Sequence, residues 1–256
     1  MRPFPFCDLA DFPPHGNRMT ARDPITTIAP GDTMFQPSNP ERYFGMGEAA
    51  LEGIGRTRAA ANARQPARIL DLGCGYGRVL RSLAATFPEA ELAASDIDAE
   101  AVAFCAETFG AEPILGVPDF RDLVGTKRYD VVWSGSLLTH LEWERWEGYF
   151  DFLERALVPG GVAVFTTHGR YVADRLRSGK SEYDYGLSQR QRELLLQSYD
   201  DAGFGYQDYR PDSGYGLSLS RPSWVLKRLE HKSLEVVHLH EQGWGQHQDL
   251  IGCLLR

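Results

Sequence analysis

Cysteine is scarce in this chain: Cys7, Cys74, Cys105 and Cys253 are the four present in 256 residues, and no two form a CxxC pair. Their scatter argues against a zinc site and against a disulfide framework, so reduced thiols are expected. Long apolar runs are missing too. Without a stretch of about 18 apolar residues no membrane-spanning helix is expected. The opening MRPFPFCDLADFPPHGNRM carries prolines and charges where a secretory signal needs an apolar centre, so a cytoplasmic protein is expected. Basic clusters are also lacking. With 27 Lys and Arg against 35 Asp and Glu the formal charge is −8, whereas a nucleic-acid binder presents a basic stripe that displaces counterions from phosphates. Neither nucleic acid nor membrane is expected as a partner, and the oligomeric state is left open.

What is present suits a large core, since 43% of the residues are hydrophobic and 11% aromatic. Residues 1–40 are rich in Pro, Asp and Thr and read as an irregular arm. ERYFGMGEAALEGI then places Tyr43 or Phe44, Gly47, Leu51 and Ile54 at helical spacing. After Pro66 short apolar runs alternate with amphipathic stretches, which argues for βα repeats and a parallel sheet. Strands are expected at 68–72, 92–95, 113–116, 129–134 and 162–167. Val79, Leu83 and Phe87 line one helical face; Val102, Cys105 and Phe109 line another, opened by Asp98 and closed by Gly110. In EWERWEGYFDFLERAL, residues Trp143, Trp146, Phe150, Leu153 and Leu157 recur at 3, 4, 3, 4, which predicts a helix with its tryptophans in the core. VPGG at 158–161 reads as a turn into the next strand. From Gly169 to Arg221 the rhythm breaks around one predicted helix at 188–201, and the stretch is too long for a simple connection. It reads as an insertion able to cover an active site. A helix near 222–231 and strands near 234–240 and 247–255, joined by EQGWGQ, predict a closing antiparallel pair.

The decisive stretch is RILDLGCGYGRVL. A dinucleotide turn wants G-x-G-x-x-G with the pyrophosphate at the helix N-terminus. Here Gly73, Gly75 and Gly77 are followed by Arg78 where the third glycine of that pattern would fall, and no G-K-[ST] follows for a Walker loop. Asp71, just ahead of the glycines, would repel a diphosphate and suits a ligand bearing an ammonium and a positively charged sulfur.

LDLGCGYG after the first strand, SDID after the second, GVPDF after the third, YDVVWSGSLLTHL at the fourth and LVPGGVAVFTTHG through the fifth resemble the class I S-adenosylmethionine-dependent methyltransferases over roughly residues 66–168. The resemblance implies an α/β fold: a Rossmann-like, doubly wound, mostly parallel sheet of seven strands with the last antiparallel. One domain is implied, with an N-terminal arm and helix at 1–65, a cofactor-binding core at 66–168, an insertion or cap at 169–221 and a closing helix and strand pair at 222–256. It implies S-adenosyl-L-methionine as cofactor and S-adenosyl-L-homocysteine as product; the acidity and the Tyr-rich insertion favour a small-molecule acceptor such as a sugar or secondary metabolite, methylated on oxygen in preference to nitrogen.

The resemblance also assigns roles. Gly73, Gly75 and Gly77 let the backbone approach the methionine part, and Cys74 lies among them as a packing residue rather than a nucleophile. Asp71 orients the amino group directly or through water. Asp96 accepts from the ribose hydroxyls, and Ile97 packs on adenine. Asp119 accepts from the adenine amino group, while Phe120 donates its N–H or packs on the ring. Ser134 and Gly135 border the sulfonium and the acceptor. Simple capping is the alternative for Asp71 and Asp96, and a turn for Asp119. Arg78 either caps carbonyls or meets the cofactor carboxylate; Tyr43 either closes over the cofactor or belongs to the core.

Methyl transfer needs alignment first, and a hydroxyl acceptor also calls for a base near neutral pH. His140 and His168 are the candidates. Tyr183, Tyr185 and Tyr215 are candidates for lining the acceptor pocket, against a merely packed loop, and His247 at the start of the last strand reads as structural. No [DN]-P-P-[YFW] stands at the fourth strand, no Pro-Cys pair suits cytosine chemistry, and no metal-ligand spacing appears. Two other functions compete: a non-catalytic cofactor-binding scaffold with a protein partner, and a nicotinamide-dependent oxidoreductase, against which Asp71 and Arg78 count.

Overall fold

RILDL forms β1 (Arg68–Leu72), and every residue after Arg68 in it is buried, as a strand covered on both faces requires. The computed structural model describes residues 25–123, 127–179 and 185–256. Ahead of β1, α1 (Pro40–Ala60) opens with the Asn39 side chain accepting from the Arg42 N–H and a proline in its first turn, both favourable helix starts. α2 (Leu80–Thr86) leads to β2 (Glu91–Asp96), and α3 (Ala99–Phe109) leads to β3 (Glu112–Leu115). Asp98 caps α3 and Gly110 ends it at φ 68°, as the sequence predicts. β4 (Tyr129–Ser134) is followed by a 3₁₀ turn at Leu138–His140, α4 (Trp143–Ala156) and β5 (Leu157–Thr167). Then come α5 (Arg170–Ser178), α6 (Gln189–Ala202), β6 (Phe204–Asp208), β7 (Gly216–Ser220), α7 (Pro222–Leu229), β8 (Leu234–Trp244) and β9 (Gln248–Leu255).

The large sheet has the order β3-β2-β1-β4-β5-β9-β8. Its first five strands are parallel, while β9 lies between β5 and β8 and runs against both. This is the doubly wound, Rossmann-like sheet with a reversed last strand that the sequence leads one to expect. Strand order reverses between β1 and β4, the switch point at whose C-terminal ends open α/β sheets hold ligands. On one face Leu70, Leu72 and Phe165 pack with Trp146, Phe150 and Leu153 of α4. On the other, Ile69, Val131 and Val164 pack with Ile54 of α1 and Leu80 and Leu83 of α2.

The rest of the chain departs from its sequence pattern in three places. VPGG is no turn but a bulge within β5: the pairing jumps from Tyr129↔Leu157 to Val131↔Val162, and Gly160 takes φ 81°. Trp143 leaves the core stripe of α4 and is 42% exposed, with the Arg228 guanidinium of α7 5.1 Å from its ring centroid. The 169–221 stretch holds more order than its rhythm suggests. Val172 and Leu176 of α5, Leu195 and Tyr199 of α6 and Leu217 of β7 form a third core. The β6–β7 hairpin is stitched to the C-terminal side of the large sheet, with the Ser220 N–H donating to His168 O at 2.9 Å and Ser218 Oγ to Leu138 O at 2.8 Å.

Candidate active site

The glycine turn after β1 is held by backbone geometry that side chains resist. Gly73, Gly75 and Gly77 have φ of 79°, 48° and 76°, the left-handed region where glycine carries no steric penalty. The N–H groups of Gly73 and Cys74 both donate to Ser95 O, at 2.8 and 3.1 Å. A Cβ on Gly75 would meet nothing within 4 Å, whereas one on Gly77 would stand 2.4 Å from the Phe109 ring. Of the three, only Gly75 faces open space, and a side chain at Gly77 would run into α3. A Cβ on Gly73 would meet Leu137 at 3.3 Å, which sets the loop after β4 directly against this turn. Cys74 is buried with its Sγ 4.0 Å from that of Cys105. That thiol and burial push the Cys74 pKa up, which suits packing and not nucleophilic chemistry.

Two carboxylates flank the turn. Asp71 is 1% exposed and its Oδ2 has no hydrogen-bond partner among the described residues. Burial, then the charge of Asp96, pushes its pKa up to about 7 against the opposing pull of Arg78. Asp96 faces the turn: its Oδ2 accepts from the Gly75 N–H at 2.8 Å and its Oδ1 from the Asp98 N–H at 3.0 Å. A carboxylate has about four acceptor sites, so Asp96 fixes the turn and keeps lone pairs for a ligand. Next to it Ile97 is 70% exposed, an apolar face turned to solvent beside the cleft.

Other predicted cofactor residues are committed elsewhere. Both oxygens of Asp119 accept from the Arg121 guanidinium, and this pairing holds the carboxyl down at about 2; the turn alternative describes it. The Phe120 ring is corrected to the core, buried edge-to-face on Tyr149 at 5.5 Å. Ser134 is fully buried. Gly135 is wedged between aromatic rings, where a Cβ would come within 2.9 Å of Trp133 and 3.0 Å of Trp244. Arg78 caps no carbonyl among the described residues. Its guanidinium lies over Trp244, 5.2 Å from the ring centroid, and makes no hydrogen bond among the described residues. Tyr43 is buried in the core, its hydroxyl donating to Asp32 at 2.5 Å and its ring lying 5.3 Å from the Arg81 guanidinium.

The histidines come together at the other side of the cleft. His140, in the 3₁₀ turn, lies with its Nδ1 2.9 Å from Gly216 O and 3.1 Å from the Tyr209 hydroxyl. A carbonyl oxygen only accepts, so Nδ1 carries the proton and Nε2 the lone pair. The Tyr215 ring stacks on His140 at 4.8 Å. Burial lowers the His140 pKa, which keeps the imidazole neutral and able to accept a proton at neutral pH. His168 follows β5 directly and meets the His247 ring edge-on at 5.6 Å. Burial foremost, with His140 and His247 adding, drives its pKa well down, and its Nδ1 is buried without a partner among the described residues. His247 is stacked on Tyr185, whose hydroxyl lies 3.2 Å from its Nε2. Tyr183 lies outside the described residues. Sequence reasoning missed Tyr209, which nothing local marks, and Arg145, which ties Pro118 O and Gly214 O together at 2.6 and 2.9 Å. Among the described residues no group of His, Cys, Asp and Glu could hold a metal ion.

Residues 69–161 match the family model of a methyltransferase domain. Over 131 residues the chain is 27% identical to malonyl-[acyl-carrier protein] O-methyltransferase 2 of Ilyobacter polytropus, covering 50% of each chain. Over 116 residues it is 33% identical to trans-aconitate 2-methyltransferase of Streptomyces avermitilis, covering 42% of this chain and 41% of that one. The matched stretch thus spans half or less of these curated relatives' length. A solved S-adenosylmethionine-dependent methyltransferase from Clostridium acetobutylicum superposes with a TM-score of 0.56 at 17% identity, covering 81% of this chain and 91% of that one, a likeness of fold. Residues 69–161 thus match a methyltransferase domain, and the sheet they help to build shares its fold with a solved S-adenosylmethionine-dependent methyltransferase.

Proposed function

We propose that this chain transfers a methyl group from S-adenosylmethionine to a small-molecule acceptor, with oxygen favoured over nitrogen as the atom methylated. The observation that carries the reading is the cradle at Gly75: left-handed backbone facing open space, between Asp96 and the unpaired oxygen of buried Asp71. The fit is to a cationic nucleoside. Asp71 supplies the negative charge that holds an ammonium group, through water because the side chain itself is closed off from solvent. Asp96 offers its remaining lone pairs to ribose hydroxyls, and Ile97 covers one face of the adenine. The same pair of acids disfavours a diphosphate, which argues against a nicotinamide cofactor.

When bound, the cofactor supplies an electrophilic methyl on a sulfonium, so the chain must chiefly align an acceptor and exclude water. His140 is the base of choice. Its Nδ1–H is anchored on Gly216 O, which leaves Nε2 to take a hydroxyl proton as the acceptor is methylated. His168 is the second candidate, with less access to solvent. One relative is by name an O-methyltransferase, which favours oxygen. Among the described residues no helix is long and apolar enough to cross a membrane, and the buried free thiols Cys74, Cys105 and Cys253 suit a reducing, cytoplasmic setting.

Calorimetry with S-adenosylhomocysteine tests the cofactor half, and saturable binding is expected. The acceptor half is tested by incubating the protein with isotopically labelled methyl donor and a native metabolite pool, then finding the labelled product by mass spectrometry. Cofactor binding with no labelled product from any acceptor would favour the scaffold reading instead.

A further inference from the structure

Two residues beyond the buried Ser134, the chain makes a turn that no motif explains. Ser136 sits at φ 58°, a left-handed conformation that a side chain adopts at a cost, of the kind that collects at functional sites. It is half-buried and adjoins Leu137, which packs over the Gly73 turn, so it stands where the cofactor turn and the acceptor side of the cleft meet.

A closed circuit of hydrogen bonds holds it there. The Ser136 N–H donates to Thr166 Oγ1 at 2.8 Å, Thr166 Oγ1 donates to Gln248 Oε1 at 2.6 Å, and Gln248 Nε2 donates to Ser136 Oγ at 2.7 Å. The direction is determined by the donors. Thr166 is fully buried and has no other acceptor among the described residues. Turning the Gln248 amide over would strand the threonine proton, which is costly in the interior. Ser136 Oγ therefore accepts from Gln248, and its own proton is not used within the circuit.

The geometry points to Ser136 as an acceptor-binding residue: its hydroxyl donates to an oxygen of the acceptor, best a carboxylate or other oxyanion, with Gln248 and Thr166 as positioning residues. This deepens the methyltransferase reading and rests on it. An oxyanion strengthens the bond and matches a donor whose orientation is set in advance, whereas a protonated amine has no lone pair to receive it.

Calorimetric titration of the protein loaded with S-adenosylhomocysteine, using malonate, trans-aconitate and benzoate against benzylamine, tests the assignment. Wild type is expected to bind at least one carboxylate saturably and benzylamine not at all. Ser136→Gly suits the left-handed backbone, so its melting temperature should hold or rise and S-adenosylhomocysteine should bind as before, while carboxylate affinity falls by about 10-fold or more. Gln248→Glu puts a carboxylate oxygen opposite Ser136, turns the serine proton inward and should weaken the same carboxylate with Ser136 still present. Unchanged carboxylate affinity in Ser136→Gly overturns the assignment, because a purely structural serine would show a stability change alone. Binding of S-adenosylhomocysteine without any carboxylate binding overturns it too and leaves the cofactor reading standing, whereas failure of wild type to bind S-adenosylhomocysteine removes the reading underneath.

Discussion

The two sides of the cleft are built on different principles. The glycine turn is made within 26 residues of sequence, from Asp71 to Asp96, and its key contacts are backbone groups meeting Ser95 O and the Asp96 carboxylate. The histidine side draws His140, His168, the hairpin residues Tyr209 and Gly216, and His247 from four separate segments. A turn of the first kind is the same whatever the acceptor; an assembly of the second kind changes with the hairpin that completes it. Cofactor binding and acceptor chemistry should therefore be separable by mutation.

The sharpest cut is His140→Ala. If Nε2 is the base, methyl transfer to a hydroxyl acceptor falls by roughly 100-fold or more, while calorimetry with S-adenosylhomocysteine gives an unchanged affinity; a parallel loss of both would break the division. On the turn side, Asp96→Ala leaves the Gly75 and Asp98 N–H groups without their acceptor. Cofactor affinity should fall on the order of 100-fold, with the carboxylate titration of the acceptor side as the comparison.

Two glycines divide the turn further. Gly77→Ala drives a Cβ into Phe109 at a left-handed φ and should cost about 3 kcal/mol of stability in urea denaturation. Gly75→Ala has only the backbone strain, about 1 kcal/mol, because its Cβ would point into open space. Its effect should appear as lost S-adenosylhomocysteine affinity larger than that strain explains. Equal behaviour of the two variants would mean the open space at Gly75 is not where the cofactor lies.

This division also explains what the sequence could tell. The strands, the Asp98 cap, Gly110 and the reversed last strand were legible because periodicity and capping are local. The left-handed bend at Gly75 and the acid that ends β2 were legible for the same reason. Trp143 departed from its stripe: it is 42% exposed, beside Arg228 from 85 positions later. The burial of the Phe120 ring and of Ser134 was not legible, because a motif gives position along the chain but not which way a strand end faces. The β6–β7 hairpin was illegible: GFGYQDYRPDSGYGLSLS carries few apolar residues, and it is ordered by the Leu138 carbonyl, His140 and His168. Ser136 escaped for a similar reason, since its partners Thr166 and Gln248 arrive from β5 and β9.

pH gives a milder test of the turn. Asp71 is pushed up to about 7 from 3.8, so the folded chain holds this proton more tightly than the unfolded one. Its contribution to stability is complete below pH 3.8 and is lost as pH rises towards 7. Asp249, pushed up to about 6 mainly by burial, adds a loss of the same sign over a narrower range. Asp71→Asn should thus melt close to wild type near the acid end of this window and above it once pH passes 7. Cofactor affinity in wild type should rise across the same pH, as the charge that holds an ammonium appears, and the asparagine variant should lose that rise.

The smallest effect separates core from cleft at Tyr43. Its hydroxyl bonds to Asp32 and lies 3.4 Å from Arg81, and Arg81 in turn holds the carbonyls of Ile25 and Thr27 at 2.6 and 3.1 Å. Tyr43→Phe removes one link of this chain and keeps the ring, for a loss of about 1 kcal/mol. As a core residue Tyr43 should change the unfolding midpoint and leave S-adenosylhomocysteine affinity untouched. A weaker affinity in the phenylalanine variant would instead bring the N-terminal helix into the cofactor site and shift the boundary between the two halves of the cleft towards the arm.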